Sequence, residues 1–166
     1  MVARMRKIKL TQGQYALVDD EDFERLNKYS WYAFKISYGT RYRAARHNPQ
    51  RKNGGAPLLF MDRILVKARK GQDVDHINGN TLDNRKANLR RCSRSQNLCN
   101  KGKKSGCSSK HKGVHFFKRT GTWQTYIWVK RKRIWLGYFK DEIEAAKAYN
   151  NAAKKYHGKF ARLNKI

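Results

Sequence analysis

Short runs of alternating apolar and polar residues make up most of this chain, and one long helical stretch closes it. Residues 5–18 (MRKIKLTQGQYALV) alternate weakly and end in Asp19, Asp20, Glu21, Asp22 and Glu24. That order predicts a strand followed by a short helix, capped by Asp19 or Asp20, with Phe23 and Leu26 as its apolar contacts. In WYAFKISYGTRYRAAR (31–46), aromatic and β-branched residues flank Tyr38-Gly39-Thr40, which predicts a hairpin. Its rings (Trp31, Tyr32, Phe34, Tyr42) are expected in a small core. HNPQRKNGGAP (47–57) reads as a loop, and LLFMDRILVKA (58–68) as an apolar strand entering a helical turn.

Beyond residue 112 the pattern sharpens. GVHFFK, TWQTYIWVK and RIWLGYF are three alternating runs separated by basic or glycine turns, hence an antiparallel sheet. DEIEAAKAYNNAAKKYHG then has helical spacing. Asp141 and Glu144 form a capping box, Ile143, Ala146, Tyr149, Ala153 and Tyr156 form the apolar stripe, and Gly158 stops the helix.

The middle of the chain is different. VDHINGNTLDNRKANLRRCSRSQN, residues 74–97, holds one Asp-His pair and five asparagines in twenty-four residues. VDHI fits a strand, NGNTLDN a polar turn and NLRRCS a second strand; Ser93 with Gln96 would cap a helix carrying Asn97. Strand, turn, strand and helix would gather Asp75, His76, Asn88 and Asn97. Phosphodiester hydrolysis calls for those side-chain types. A neutral imidazole can take a proton from water, since its ordinary pKa lies near 6.5. Carboxylate and amide oxygens suit Mg²⁺, which keeps most of its waters. An amide can also fix a histidine tautomer.

Charge narrows the partner. Lysine and arginine number 39 against 12 acids, for a net charge of +27. From Asn84 to Lys140 there are 17 basic residues and no acid. Such an excess repels itself and is relieved by a polyanion, so double-stranded DNA is the expected partner. A membrane surface is disfavoured, because no basic amphipathic helix with a large apolar face and no apolar run of membrane length occurs. A cytoplasmic protein is the expected setting. Mean hydropathy of −0.94 argues for small modules, not one large core. Cys92, Cys99 and Cys107 lack zinc-knuckle spacing, and reduced thiols are expected.

DHINGN, LDNRKANLR and SQN resemble the HNH endonucleases, specifically phage and intron-encoded homing enzymes of the ββα-metal type. The resemblance implies His76 as general base and Asp75 with Asn97 as ligands of one divalent ion, Mg²⁺ or Mn²⁺ rather than zinc. It implies Asn88 as the group holding the imidazole, and leaves Asn78, Asn80 and Asn84 to shape the turn. Many members of that family carry His-Arg-Leu where this chain has Asp62-Arg63-Ile64. The residues leave the role of Asp62 open.

Residues 112–164 resemble the plant ethylene-response-factor (APETALA-type) DNA-binding domain, through KGV, RIWLGYF, EIEAAKAYNNAA and GKFARLN. In that family three strands enter the major groove and a helix packs behind them. Alternation assigns Val114, Phe116, Trp123, Thr125, Ile127, Ile134 and Leu136 to the helix side. The resemblance then gives His115, Phe117, Gln124, Tyr126, Trp128, Arg133 and Trp135 to DNA, with Lys130, Arg131 and Lys132 beside them on phosphate. At His115, Phe117 and Trp128 plant members use arginine, so the resemblance implies fewer guanine contacts here and more apolar or stacking ones.

The expected fold class is α+β: a β-rich N-terminal module (1–70), a ββα-metal core (71–100), a basic linker (101–111) and a three-stranded antiparallel sheet on one helix (112–166). The expected function is a site-specific, metal-dependent, strand-nicking DNA endonuclease acting as a monomer. The alternative is a non-catalytic DNA-binding regulator that keeps the same scaffold.

Overall fold

A computed structural model describes residues 4–36, 41–50, 57–103 and 106–166. The chain is mixed α/β, and it divides into two units, Met1–Ser93 and Arg94–Ile166. The expected turn at Tyr38-Gly39-Thr40 and most of the loop at 47–57 lie outside the described residues.

In the first unit, β1 (Met5–Lys9) and β2 (Tyr15–Asp19) pair antiparallel with Ile8 opposite Ala16. Alternation turns Ile8, Ala16 and Val18 inward. Helix α1 (Asp20–Asn27) follows, its first turn acidic and its Phe23 and Leu26 buried. Acids there meet the positive end of the helix dipole. Asp19 occupies the N-cap position, but its side chain does not cap. Its Oδ2 instead accepts a hydrogen bond from Lys86 N at 2.7 Å, in the turn of the Asn-rich segment.

Strands β3 (Tyr32–Lys35), β4 (Tyr42–His47) and β5 (Leu58–Phe60) form an antiparallel sheet in that order, and α2 (Met61–Leu65) follows β5 directly. β6 (Asp73–His76) and β7 (Leu89–Cys92) form a two-stranded ribbon. The turn between them docks on β2: Leu17 N donates to Leu82 O and Asn84 N donates to Leu17 O, both at 2.8 Å. One apolar cluster includes Ile8, Val18, Leu26, Trp31, Met61 and Leu89, so residues on both sides of position 70 share it. Of the expected core rings, Trp31 is buried and donates its indole N–H to Leu26 O at 2.8 Å. Phe34 departs from that expectation: it lies exposed, edge-on to Phe60.

The second unit begins with α3 (Arg94–Cys99). Strands β8 (Val114–Phe117), β9 (Thr122–Val129) and β10 (Lys132–Phe139) form an antiparallel sheet in the order β10-β9-β8. Helix α4 (Glu142–His157) packs on one face of it, with Ile127, Tyr149, Ala152 and Ala153 in one cluster and Val114, Ala145 and Ala146 in another. The small alanines allow close approach. At Gly113, φ is +77°, and an added Cβ would stand 2.2 Å from the Tyr149 ring, so only glycine fits. Asp141 Oδ1 accepts from Glu144 N at 2.9 Å, as a capping residue should. Tyr156 does not join the stripe; Ala145 and Ala152 do, and Tyr156 is 40% exposed. Among the described residues no helix is long and apolar enough to cross a membrane, and Cys92, Cys99 and Cys107 are free thiols.

Candidate active site and nucleic-acid face

The β6–β7 register puts Asp75 opposite Arg90 and His76 opposite Leu89. Asp75 and His76 are buried, at 4% and 5% exposure. Arg90 Nε and Nη2 reach Asp75 Oδ2 at 2.8 and 2.6 Å. His76 ends β6, and its carbonyl accepts from Gly79 N at 2.8 Å, where φ of +80° lets the chain reverse.

The five asparagines divide. Asn78 Oδ1 accepts from Asn80 N, and Asn80 Oδ1 accepts from Leu82 N, at 2.8 and 3.0 Å. These local amide–backbone bonds replace the ladder bonds a turn cannot make. Asn88 also braces the turn: its Oδ1 accepts from Asn78 N at 2.9 Å and its Nδ2 donates to Asp83 O at 2.8 Å. Asn84 is buried at 1% exposure, and its amide favours the charged form of the His76 imidazole. Asn97 lies on α3, in the second unit.

Asp62 acquires a definite place. It is 2% exposed, and Arg43 Nη2 stands 2.7 Å from both of its oxygens. Its charge reaches His76. Burial pushes the His76 imidazole below its ordinary value of 6.5, and Asp62, Asn84 and Asp75 oppose that shift only in part. A histidine biased to the neutral form can accept a proton at neutral pH. Arg43 and Arg90 were not legible as site neighbours. Asp62 carried one signal: an acid inside an apolar run is buried only with a partner.

In the second unit, Val114, Thr125 and Ile127 are buried beneath α4, while Trp128 and Trp135 are 58% and 46% exposed. His115, Phe117, Gln124, Tyr126, Trp128, Arg133 and Trp135 therefore share the outer face by alternation. His115 stacks on Tyr126 with centroids 5.0 Å apart and planes at 5°. The Arg133 guanidinium lies 5.1 Å from the Tyr126 ring centre. A bulge between Trp135 and Gly137 shifts the register of β10. After it Tyr138, 56% exposed, joins the outer face, where its ring meets Trp135 and Phe117, and Phe139 packs beneath. Strict alternation missed Tyr138; a glycine inside a strand pattern was the available signal. Lys130 and Arg131 form the two-residue turn from β9 to β10, with positive φ at both.

The buried Asp-His pair thus sits on a braced hairpin, in a chain that also presents a basic aromatic sheet. Residues 69–99 match the family model described as HNH endonuclease. Over 161 residues the chain is 29% identical to an uncharacterized HNH endonuclease, L560, of Acanthamoeba polyphaga mimivirus, covering 93% of this chain and 77% of that protein. Over 57 residues it is 44% identical to the AP2-like ethylene-responsive transcription factor TOE2 of Arabidopsis thaliana, covering 34% of this chain and 12% of that protein. The APETALA2-like protein 2 of Oryza sativa subsp. indica gives the same identity over 57 residues, 34% of this chain and 13% of the relative. The chain therefore spans about an eighth of the length of these plant relatives. No solved structure matches.

Proposed function

We propose that this chain is a divalent-metal-dependent, site-specific DNA endonuclease of HNH type that nicks one strand of a duplex. The observation that carries the reading is the buried, neutral-biased His76 beside Asp75, on the hairpin within the segment matched by the HNH endonuclease model. His76 takes a proton from the attacking water. Asn84 and Asp62 hold and polarise the imidazole, while Asn88 keeps the turn rigid.

Among the described residues no three of His, Cys, Asp and Glu gather to hold a metal. The expected set is one carboxylate and one amide, Asp75 and Asn97, oxygen donors that suit an ion retaining its waters. Mg²⁺ or Mn²⁺ would neutralise charge developing on the phosphate. The outer face of the C-terminal sheet, with Lys130, Arg131 and Lys132, brings the duplex; the plant relative named as a transcription factor supports that assignment.

One constellation per chain implies a monomer and one cut strand. The reading is tested on supercoiled plasmid carrying bound sequences selected from a random library, with Mg²⁺ or Mn²⁺. The wild type relaxes the plasmid, and His76→Ala binds it without relaxing it. Equal relaxation by both would overturn the assignment. A non-catalytic DNA-binding regulator is the second reading, favoured by the Arg90 contact on the Asp75 carboxylate; binding with no metal-dependent relaxation would select it.

A further inference from the structure

A cavity of about 750 Å³ lies within the second unit, between α3, the start of β8, the end of β9 and the last turn of α4. Its size falls in the range of about 300–1,000 Å³ usual for small-molecule sites. The inner wall is apolar and ring-rich: Val114, Tyr149 and Phe160 line it and are buried. The rim is exposed and cationic, with Lys101, Lys103, Lys130 and Arg131. Among the described residues no acid lines the cavity.

Two imidazoles on this wall each hold a nitrogen with nothing to bond. His111 is 4% exposed, and its Nε2 has no hydrogen-bond partner. His157 Nε2 meets Trp128 O at 2.9 Å, and its buried Nδ1 has no partner. A carbonyl only accepts, so in the neutral ring the His157 proton sits on Nε2 and Nδ1 is an acceptor. Buried polar atoms are paired in the great majority of cases. Two orphans on one cavity call for a ligand with hydrogen-bonding groups of its own.

Lys112 adds a preference for charge. Its Nζ donates to Cys99 O at 2.6 Å, and burial pushes its ammonium down to about 8. An anion beside it would favour the charged form.

A planar ring with donors and acceptors on its edge, joined to an anionic group, meets all of these demands. We infer that the cavity binds a single nucleotide, its base among Tyr126, Tyr149 and the two imidazoles and its phosphate at Lys112 and the cationic rim. His115, Tyr126 and Trp128 line the cavity and also belong to the outer face on which the duplex is placed. A nucleotide swung out of that duplex reaches the cavity without leaving the protein. Enzymes that must reach a base inside a helix extrude its nucleotide into such a pocket. The adjoining DNA is therefore the source, and a free nucleotide of the same chemistry is the alternative that the experiment separates. The DNA source rests on reading the outer face as a duplex surface, and neither source depends on His76.

The test uses the full chain in EDTA and two kinds of probe. The first is a fluorescein-labelled duplex of a sequence selected from the random library, perfect or with one mismatch at each position in turn, followed by anisotropy. A mismatch at one position binds about tenfold tighter than the perfect duplex, because its base leaves the stack without breaking a pair. The second is each free deoxynucleoside monophosphate, followed by calorimetry. Two variants address the cavity. Gly102 lines it with open space around an added Cβ, so Gly102→Trp places a ring there. His111→Phe keeps a ring and removes the orphaned nitrogen. Thermal melts matching the wild type show that both fold. A mismatch gain that is lost in either variant assigns the cavity to an extruded DNA nucleotide. Monophosphate binding lost in either variant, without a mismatch gain, assigns it to a free one. Neither signal in the wild type, or signals unchanged in both variants, would overturn the proposal. Neither probe reports cutting, so failure of the nuclease reading is seen separately, on the plasmid.

Discussion

Asp75 and Arg90 face each other across the β6–β7 ribbon, and two nitrogens of the arginine reach one oxygen of the acid, at 2.8 and 2.6 Å. The acid side chain is 4% exposed and the arginine 17%. The pair therefore sits where water screens little.

Replacing Arg90 with Gln leaves a buried charge without this cation, which typically costs about 3 kcal/mol. Asp75→Asn in the same background restores part of that loss, because no charge then remains to be solvated. Denaturant midpoints of the two single variants and the double variant complete the cycle. Simple additivity would show that the two side chains do not hold each other.

Asp83 makes the turn sensitive to acid. Arg85 Nε and Nη2 reach its two oxygens at 2.8 and 2.7 Å, and Asn78 Nδ2 adds a bond of 2.8 Å. The Arg85 hydrogen bonds, more than any other cause that favours the charged form, hold its carboxyl below the ordinary 3.8. A carboxylate with a lowered folded-state pKa binds fewer protons folded than unfolded. Its stabilisation is complete above the unfolded value, about 4, and is lost as pH falls through the folded one. Wild type should exceed Asp83→Asn in stability at pH 7, and the gap should narrow progressively below about pH 4. Denaturant titrations across that range check it; a constant gap would remove the carboxylate's charge from the explanation.

Burial pushes the Cys92 thiol up to about 11, and Asp75 and Asp73 add to the shift. The thiolate is the reactive form. At pH 8 in the folded protein, Cys92 should resist iodoacetamide, and it should be alkylated once the chain is denatured. Peptide mass mapping reads the outcome. Rapid labelling of native Cys92 would mean that the β6–β7 ribbon opens.

Short-range signals made the second unit readable. Alternation in three runs fixed which faces of β8, β9 and β10 meet α4, and Asp141 and Gly158 marked the helix ends where they stand. What escaped was non-local. Asp62 and Arg43 lie nineteen positions apart and meet only because β4 and α2 pack together. The effect of Asn84 on His76, and the pairing of Asp19 with Lys86, depend on the turn docking against β2. No pattern within twenty residues encodes that contact. Tyr138 was missed for a local reason: a bulge at Gly137 breaks the period on which face assignment relies.

The turn at Lys130 and Arg131 sets stability against binding. Both residues have positive φ, which non-glycine residues adopt at a cost of roughly 1 kcal/mol or more each. Asn and Gly relieve that strain in a two-residue hairpin turn. Lys130→Asn/Arg131→Gly should therefore raise the unfolding midpoint, by an amount equivalent to about 1 kcal/mol. The same change removes two cations from the edge of the outer face. If both neutralise phosphates, the slope of log affinity against log salt should become shallower by about 1.8 on duplex DNA. Thermal unfolding and a salt titration of DNA binding measure the two effects on one variant. A more stable protein with weaker, less salt-dependent binding would show that the strained backbone is retained for the charges it carries. Equal stability would remove strain from the account, and an unchanged salt slope would place Lys130 and Arg131 away from phosphate.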